Sequence, residues 1–180
     1  MKPVFTDTYR PAQEQQLSLV RRLAKTGATH VFIAGDRNDT AIIARDAKAE
    51  NLSLTFVGGD ATNAANQPVP MTDGVYAVTL PDPASLVQDA TVLDEMKRQE
   101  IVPEGYVLPT AATIEILEEA KRRAEEKEQP LVPVLTSGSF STVLGPVAFD
   151  ATHERASNPY RLMVWRGTRF VPAEPAGAAQ

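Results

Sequence analysis

The stretch HVFIAGDRNDTAIIARDAKAENLSLTFVGGD, residues 30–60, carries the reading of the fold. His30 to Gly35 is a continuous β-rich apolar run, the pattern of a strand buried on both faces of a parallel sheet. Asp36, Asn38 and Asp39 each have the short polar side chain that caps a helix start. Ile43, Ala44 and Ala47 then give an apolar stripe over a helix of about Thr40 to Glu50. Leu52 to Val57 repeats the strand signal and closes on Gly58-Gly59-Asp60. Strand, helix and strand in this order are the unit of an open α/β sheet with largely parallel pairing.

Toward the amino end, Val4 and Phe5 are extended. Pro11 then suits a first helical turn and opens a helix over Ala12 to Lys25, with Leu19, Val20 and Leu23 on one face and Gly27 to end it. Toward the carboxyl end, Ala61 to Asp73 reads as a loop with room for a short helix, and Val75 to Leu80 as a strand. Leu86, Ala90 and Leu93 recur at helical spacing. A longer helix over Leu108 to Lys127 lines up Ala112, Ile116, Ala120 and Ala124, and its charged second half faces water. Pro130 and Pro133 interrupt helix propagation, and Ser137-Gly138-Ser139 leads into an extended segment, Val143 to Phe149. Arg161 to Trp165 and Arg169 to Val171 are strands joined at Gly167-Thr168, an antiparallel hairpin added to the sheet. Residues 1–171 read as a single α/β domain and 172–180 as a disordered tail.

Composition excludes several function classes. The chain has 180 residues, 43% of them apolar, which is enough for one globular core. Its 18 Lys plus Arg against 23 Asp plus Glu give a net charge of -5, with no electrostatic reason to approach nucleic acid or anionic lipid. With no Cys and only two His, His30 and His153, thiolate metal sites, disulfides and polyhistidine sites are not expected. No apolar run approaches the roughly 18 residues of a membrane span, and MKPVFTDTYRP lacks the apolar core of an export signal. Gly58-Gly59 lacks dinucleotide-fingerprint spacing, and there is no phosphate-binding P-loop. Ser137, Ser139 and Ser141 have neither a strand-to-helix elbow nor a placed His. No cofactor, metal site or catalytic residue is expected.

Ligands of open α/β sheets sit outside the carboxyl ends of the strands. Two carboxylates lie there, Asp36 after the first strand and Asp60 after the second, where Gly58-Gly59 allows close backbone approach. Asn38 and Thr40 stand within reach of the same edge. Each has a plain structural alternative: Asp36, Asn38 and Thr40 as capping residues, Asp60 as a loop acid satisfying backbone N–H groups.

Several segments resemble, in order, the branched-chain amino acid (Leu/Ile/Val)-binding proteins, the type I periplasmic solute-binding proteins of ABC transporters. They are MKPVFTDTYRP, LVRRLAKTGATHVFIAGD, IIARDAKAENLSLTFVGGD, EGYVLPTAATIEILEEAKR, LTSGSFSTVLGPVAFD and YRLMVWRGTRFVP. The resemblance implies the type I periplasmic binding protein fold, with Rossmann-like (flavodoxin-like) lobes closing on a ligand. It matches the carboxyl-terminal part of the family, so the chain is expected to be half-length. The Asp60 position commonly holds an acid that pairs with the ligand's α-ammonium group. Asp36 stands where the family often has an aromatic that covers the ligand.

The expected function is therefore a non-catalytic solute-binding module for an amino acid or related small acid, with an ABC transporter permease as the partner the family implies. Half a clamp covers little of a ligand. Self-association as a homodimer through the helix Leu108 to Lys127 is accordingly expected, with disruption by a charge at Ile116. Two alternatives stand beside this: a structural or regulatory interaction protein that no longer binds solute, and a small α/β enzyme using Asp36 and Asp60. The resemblance implies a periplasmic location, and the chain as given, without a signal peptide, implies a cytoplasmic one.

Overall fold

β1 (His30–Ile33), β2 (Thr55–Gly58) and β3 (Tyr76–Thr79) form where the apolar runs predict strands, and they pair in parallel, in register Ile33 to Gly58 and Gly58 to Ala77. The computed structural model describes residues 2–64, 68–103 and 105–173. Residues 65–67 of the expected loop and 174–180 of the expected tail lie outside the described residues. The described chain clusters into two compact units, Met1–Pro81 with Tyr160–Gln180, and Asp82–Pro159.

In the first unit, β6 (Arg161–Arg166) lies antiparallel to β3, and β7 (Arg169–Pro172) antiparallel to β6, giving the order β1-β2-β3-β6-β7. The terminal hairpin expected at Gly167-Thr168 is thus present, and it completes the sheet. Pro172, assigned to the tail by its composition, ends β7, and Ala173 N bonds Leu162 O at 3.0 Å.

α1 (Leu17–Leu23) and α2 (Arg37–Ala49) cover one face of this sheet. Leu19, Val20 and Leu23 of α1 and Ile43, Ala44 and Ala47 of α2 share a core with Ile33, Phe56, Ala77 and Trp165. Each large apolar side chain so buried contributes about 1.5–3 kcal/mol. The opposite face leaves Phe32 68%, Val78 43% and Leu162 49% exposed.

α1 starts at Leu17, well after the Ala12 expected from Pro11. The amide of Ala12 is drawn to Asp39 Oδ1 at 2.9 Å and that of Gln16 to Asp46 Oδ2 at 2.6 Å. Ala12 adopts φ 56, which a helix cannot continue. Carboxylates on α2 therefore hold residues 12–16 as a strap. β2 starts three residues later than the apolar run, because Asn51 takes φ 58 and Leu52 N returns to Ala47 O at 2.9 Å to close α2.

The second unit is built on α4 (Val107–Glu126), whose Leu108, Ala112, Ile116, Ala120 and Ala124 are buried at steps of four, as the periodicity predicts. α3 (Ala90–Arg98) precedes it, capped by Asp89, while Leu86 belongs to a separate 3₁₀ turn, Pro83–Leu86. Pro130 and Pro133 do not leave a loop: α5 (Leu131–Ser137) begins at the residue after Pro130, and Pro133 falls in its first turn, where no N–H is needed. The expected extended segment is a second hairpin, β4 (Ser139–Thr142) with β5 (Gly145–Ala148), packed on α4 through Phe140 and Val147.

Candidate functional site

The carboxyl ends of β1, β2 and β3 adjoin along one edge of the first unit. Ile33 and Gly58 are the last paired residues of β1 and β2. Gly35 and Asp60 each stand two positions beyond them, so the two turns leave the sheet side by side.

Asp36 begins α2. Its Oδ1 accepts from Asp39 N at 2.8 Å, and its carbonyl accepts from Thr40 N at 3.2 Å and Thr40 Oγ1 at 2.8 Å. The side chain of Asp36 remains exposed, whereas Thr40 is wholly buried. Thr40, expected at the ligand, instead spends its hydroxyl on the turn and offers no surface to a solute. Asn38 is half-buried and lines a groove of about 790 Å³ between α2 and the strap, with Gln13, Leu17, Ile42 and Val69.

Asp60 opens a 3₁₀ turn, Asp60–Thr62, directly after β2. Its Oδ1 accepts from Thr79 Oγ1 at 2.6 Å and from Leu80 N at 3.2 Å, and Asn63 Nδ2 adds a bond to Thr79 Oγ1 at 3.1 Å. The acid is thereby held across the ends of β2 and β3 while staying half-exposed. Gly58 permits the tight return: a Cβ there would stand 2.0 Å from Thr62 Oγ1. Thr62 is wholly buried and its hydroxyl has no hydrogen-bond partner among the described residues.

A further residue, Tyr9, arrives from the strap and was not legible as part of this edge. Its hydroxyl lies against Gly35, where a Cβ would stand 1.8 Å from Tyr9 Oη. Burial pushes the Tyr9 phenol up to about 12, helped by the negative charges of Asp39 and Asp36. Tyr9 and Gly35 are 26 positions apart in a polar segment with no periodic pattern, so no local signal joins them. Arg37, the cation next to Asp36, commits its charge elsewhere: Nη1 donates to Val69 O at 2.8 Å and the guanidinium lies 5.0 Å from the Trp165 ring centre.

Asp36 and Asp60 thus follow adjacent strands at one edge, with Tyr9 beside Gly35. Besides the groove at Asn38, one of about 420 Å³ lies at the amino ends of β2 and β3, among Lys48, Leu52, Thr55, Thr72 and Val75. Among the described residues no group of three or more His, Asp or Glu is placed to hold a metal, and no helix is long and apolar enough to cross a membrane. His30 Nδ1 contacts Thr29 Oγ1 at 2.9 Å at the start of β1, at the opposite end of that strand from Asp36.

No protein-family model matches the chain. Among curated proteins it is similar to Leu/Ile/Val-binding protein homolog 2 of Brucella abortus, 25% identical over 154 residues that cover 83% of this chain and 42% of that protein. Among solved structures it is similar to a leucine-binding protein from Thermotoga maritima, with a TM-score of 0.72 and 14% identity over 92% of this chain and 49% of the other. A type 1 periplasmic binding protein from Bordetella pertussis gives a TM-score of 0.70 and 16% identity over 96% of this chain and 54% of the other. The chain has the fold of the type I periplasmic binding proteins, is related in sequence to the Leu/Ile/Val-binding proteins, and spans less than half the length of the curated relatives it matches.

Proposed function

We propose that the chain is a non-catalytic binding module for an amino acid or related small acid, engaged at the carboxyl edge of β1, β2 and β3. The observation that carries this reading is Asp60: a half-exposed carboxylate at the end of β2, whose Oδ1 is held by Thr79 and Leu80. A ligand ammonium there would make a charge-assisted hydrogen bond, strengthened once water is excluded. Asp36, after β1, adds negative charge at the same edge, and Asn38 lines the groove between α2 and the strap. Sequence similarity to Leu/Ile/Val-binding proteins supports the same ligand class. On this reading the full function is solute capture for an ABC transporter permease at the periplasmic side of a membrane.

The test is a thermal-shift screen of the purified chain against L-leucine, L-isoleucine, L-valine and small aromatic acids, followed by Asp60→Asn. Stabilisation by an amino acid that Asp60→Asn abolishes supports the reading. A chain indifferent to the whole panel contradicts it. Enzymatic use of Asp36 and Asp60 is the weaker reading, because each already holds Oδ1 in hydrogen bonds suited to a fixed anion. Recovery of the ligand unchanged after incubation separates binding from turnover.

Self-association is a second reading, favoured by the sheet face that exposes Phe32, Val78 and Leu162. Ile116, first expected to report association, lies in the core with Phe140 and Val147, so a charge there would unfold the second unit. Phe32→Glu is the informative substitution. A dimer mass by light scattering that falls to monomer in Phe32→Glu supports association; a monomeric wild-type chain removes it.

A further inference from the structure

The strap that precedes α1 is fixed at several points. Asp7 pairs with Arg22 at 2.6 Å, Ala12 N bonds Asp39 at 2.9 Å, and Gln16 N bonds Asp46 at 2.6 Å. Tyr9 lies between the first two of these ties, so its ring is delivered to the end of β1 by a held backbone. Where it lands, residue 35 has no Cβ. Gly35 does not have a positive φ, unlike Gly27 or Gly74, so backbone conformation does not demand glycine. The phenol does, since a Cβ would stand 1.8 Å from its oxygen and 3.1 Å from Cζ.

Gly35 and Asp60 are each two residues past the last β1–β2 pair. Neighbouring strands run about 4.8 Å apart, so the turns that carry Gly35 and Asp60 leave adjacent strands at one edge. The phenol oxygen carries two lone pairs that can accept a hydrogen bond.

We propose that Tyr9 is a specificity-determining wall of the ligand site, and that Gly35 is glycine in order to admit its ring. This rests on the reading of the carboxyl edge as the binding site. With Asp36 and Asp39 beside it, the Tyr9 oxygen offers a hydrogen-bond acceptor, in an acidic surround, to a ligand that carries a donor cation. The site then discriminates an amino acid from the same carbon skeleton without its ammonium. The raised phenol titration agrees with this placement, because it reports burial beside two carboxylates.

The experiment is calorimetric titration of the full chain, Tyr9→Phe and Gly35→Ala with L-leucine and with 4-methylpentanoate, its des-amino counterpart. Tyr9→Phe keeps the ring and removes the acceptor; Gly35→Ala keeps the tyrosine and displaces it. Wild type is expected to prefer L-leucine, and each variant to lose about tenfold in affinity for it while the affinity for 4-methylpentanoate stays within twofold. Absorbance titration of the phenols is the folding control: a group titrating near 12 in wild type should vanish in Tyr9→Phe and move down in Gly35→Ala, with circular dichroism unchanged. Either variant binding L-leucine within twofold of wild type overturns the role of Tyr9 and leaves the carboxyl edge standing. Failure of the wild-type chain to bind L-leucine overturns both.

Discussion

Thr79 Oγ1 donates to Asp60 Oδ1 at 2.6 Å, which ties the end of β3 to the acid that follows β2. Thr79 is wholly buried, so its hydroxyl has no water to turn to, and Asp60 is oriented by a side chain that cannot relax. Thr79→Val preserves shape and deletes the donor. The variant is expected to lose about 1–2 kcal/mol of stability and several-fold in ligand affinity, while Thr79→Ser retains most of both. Urea unfolding and calorimetry check the two halves; a Val variant as stable as wild type would show that the bond contributes nothing.

Asp46 is buried and joins the strap to α2 by accepting Gln16 N at 2.6 Å. Its ion pair with Arg45 at 2.8 Å is solvated only on the arginine side, where the side chain is 47% exposed. Asp46→Ala leaves a buried N–H without a partner and should cost about 1–3 kcal/mol, whereas Arg45→Ala should cost about 0.5 kcal/mol or less. Paired urea midpoints decide this, and equal losses would mean that the ion pair, not the amide bond, is what holds the strap.

The Tyr9 phenol, raised from 10.0 to about 12, gives stability a sign at high pH. Between these values the unfolded chain releases a proton that the folded chain keeps, so alkali favours unfolding. The contribution is fully present below about pH 10 and is lost as the pH rises through about 12. Wild type should therefore lose stability more steeply than Tyr9→Phe between about pH 9.5 and 11.5. Parallel slopes for the two chains would place the phenol in ordinary solvent.

Whether residues 1–171 behave as one domain is open to a spectroscopic test, because Trp165 is the chain's single tryptophan and belongs to the first unit. Much of the helical circular dichroism comes from α4 in the second unit. A one-domain chain predicts coincident urea transitions by tryptophan fluorescence and far-ultraviolet circular dichroism. Separated midpoints would mean that the two units unfold independently.

The strands and helices were legible where physics is local. Apolar runs marked β1 to β3, the step of four from Leu108 to Ala124 marked α4, and the short side chains of Asp36, Asn38 and Asp39 marked the start of α2, which lies at Arg37, three residues before the Thr40 expected. What escaped is long-range. The late start of α1 depends on Asp39 and Asp46 drawing amides from Ala12 and Gln16, at separations of 27 and 30 residues. The pairing of β3 with β6 bridges the whole second unit, and no pattern within either strand announces it. The extended reading of Val143 to Phe149 covers β5, whose edge position in a two-stranded hairpin tolerates Pro146, but it does not reach β4. At the carboxyl edge, the rule that ligands meet strand ends picked out Asp36 and Asp60, which the fold places after β1 and β2. The contact of Tyr9 with Gly35 was not legible because only the fold brings them together, and the burial of Thr40 became visible only with the packing around it.

The most direct test of ligand binding at this edge is the ¹H–¹⁵N correlation spectrum of the chain titrated with L-leucine. Saturable shifts should concentrate at residues 34–38, 58–63 and 79–80, with Tyr9 among them, and should disappear in Asp60→Asn. Shifts confined to the groove at Lys48, Leu52 and Thr72, or none at saturating ligand, would contradict the assignment of the carboxyl edge as the binding site.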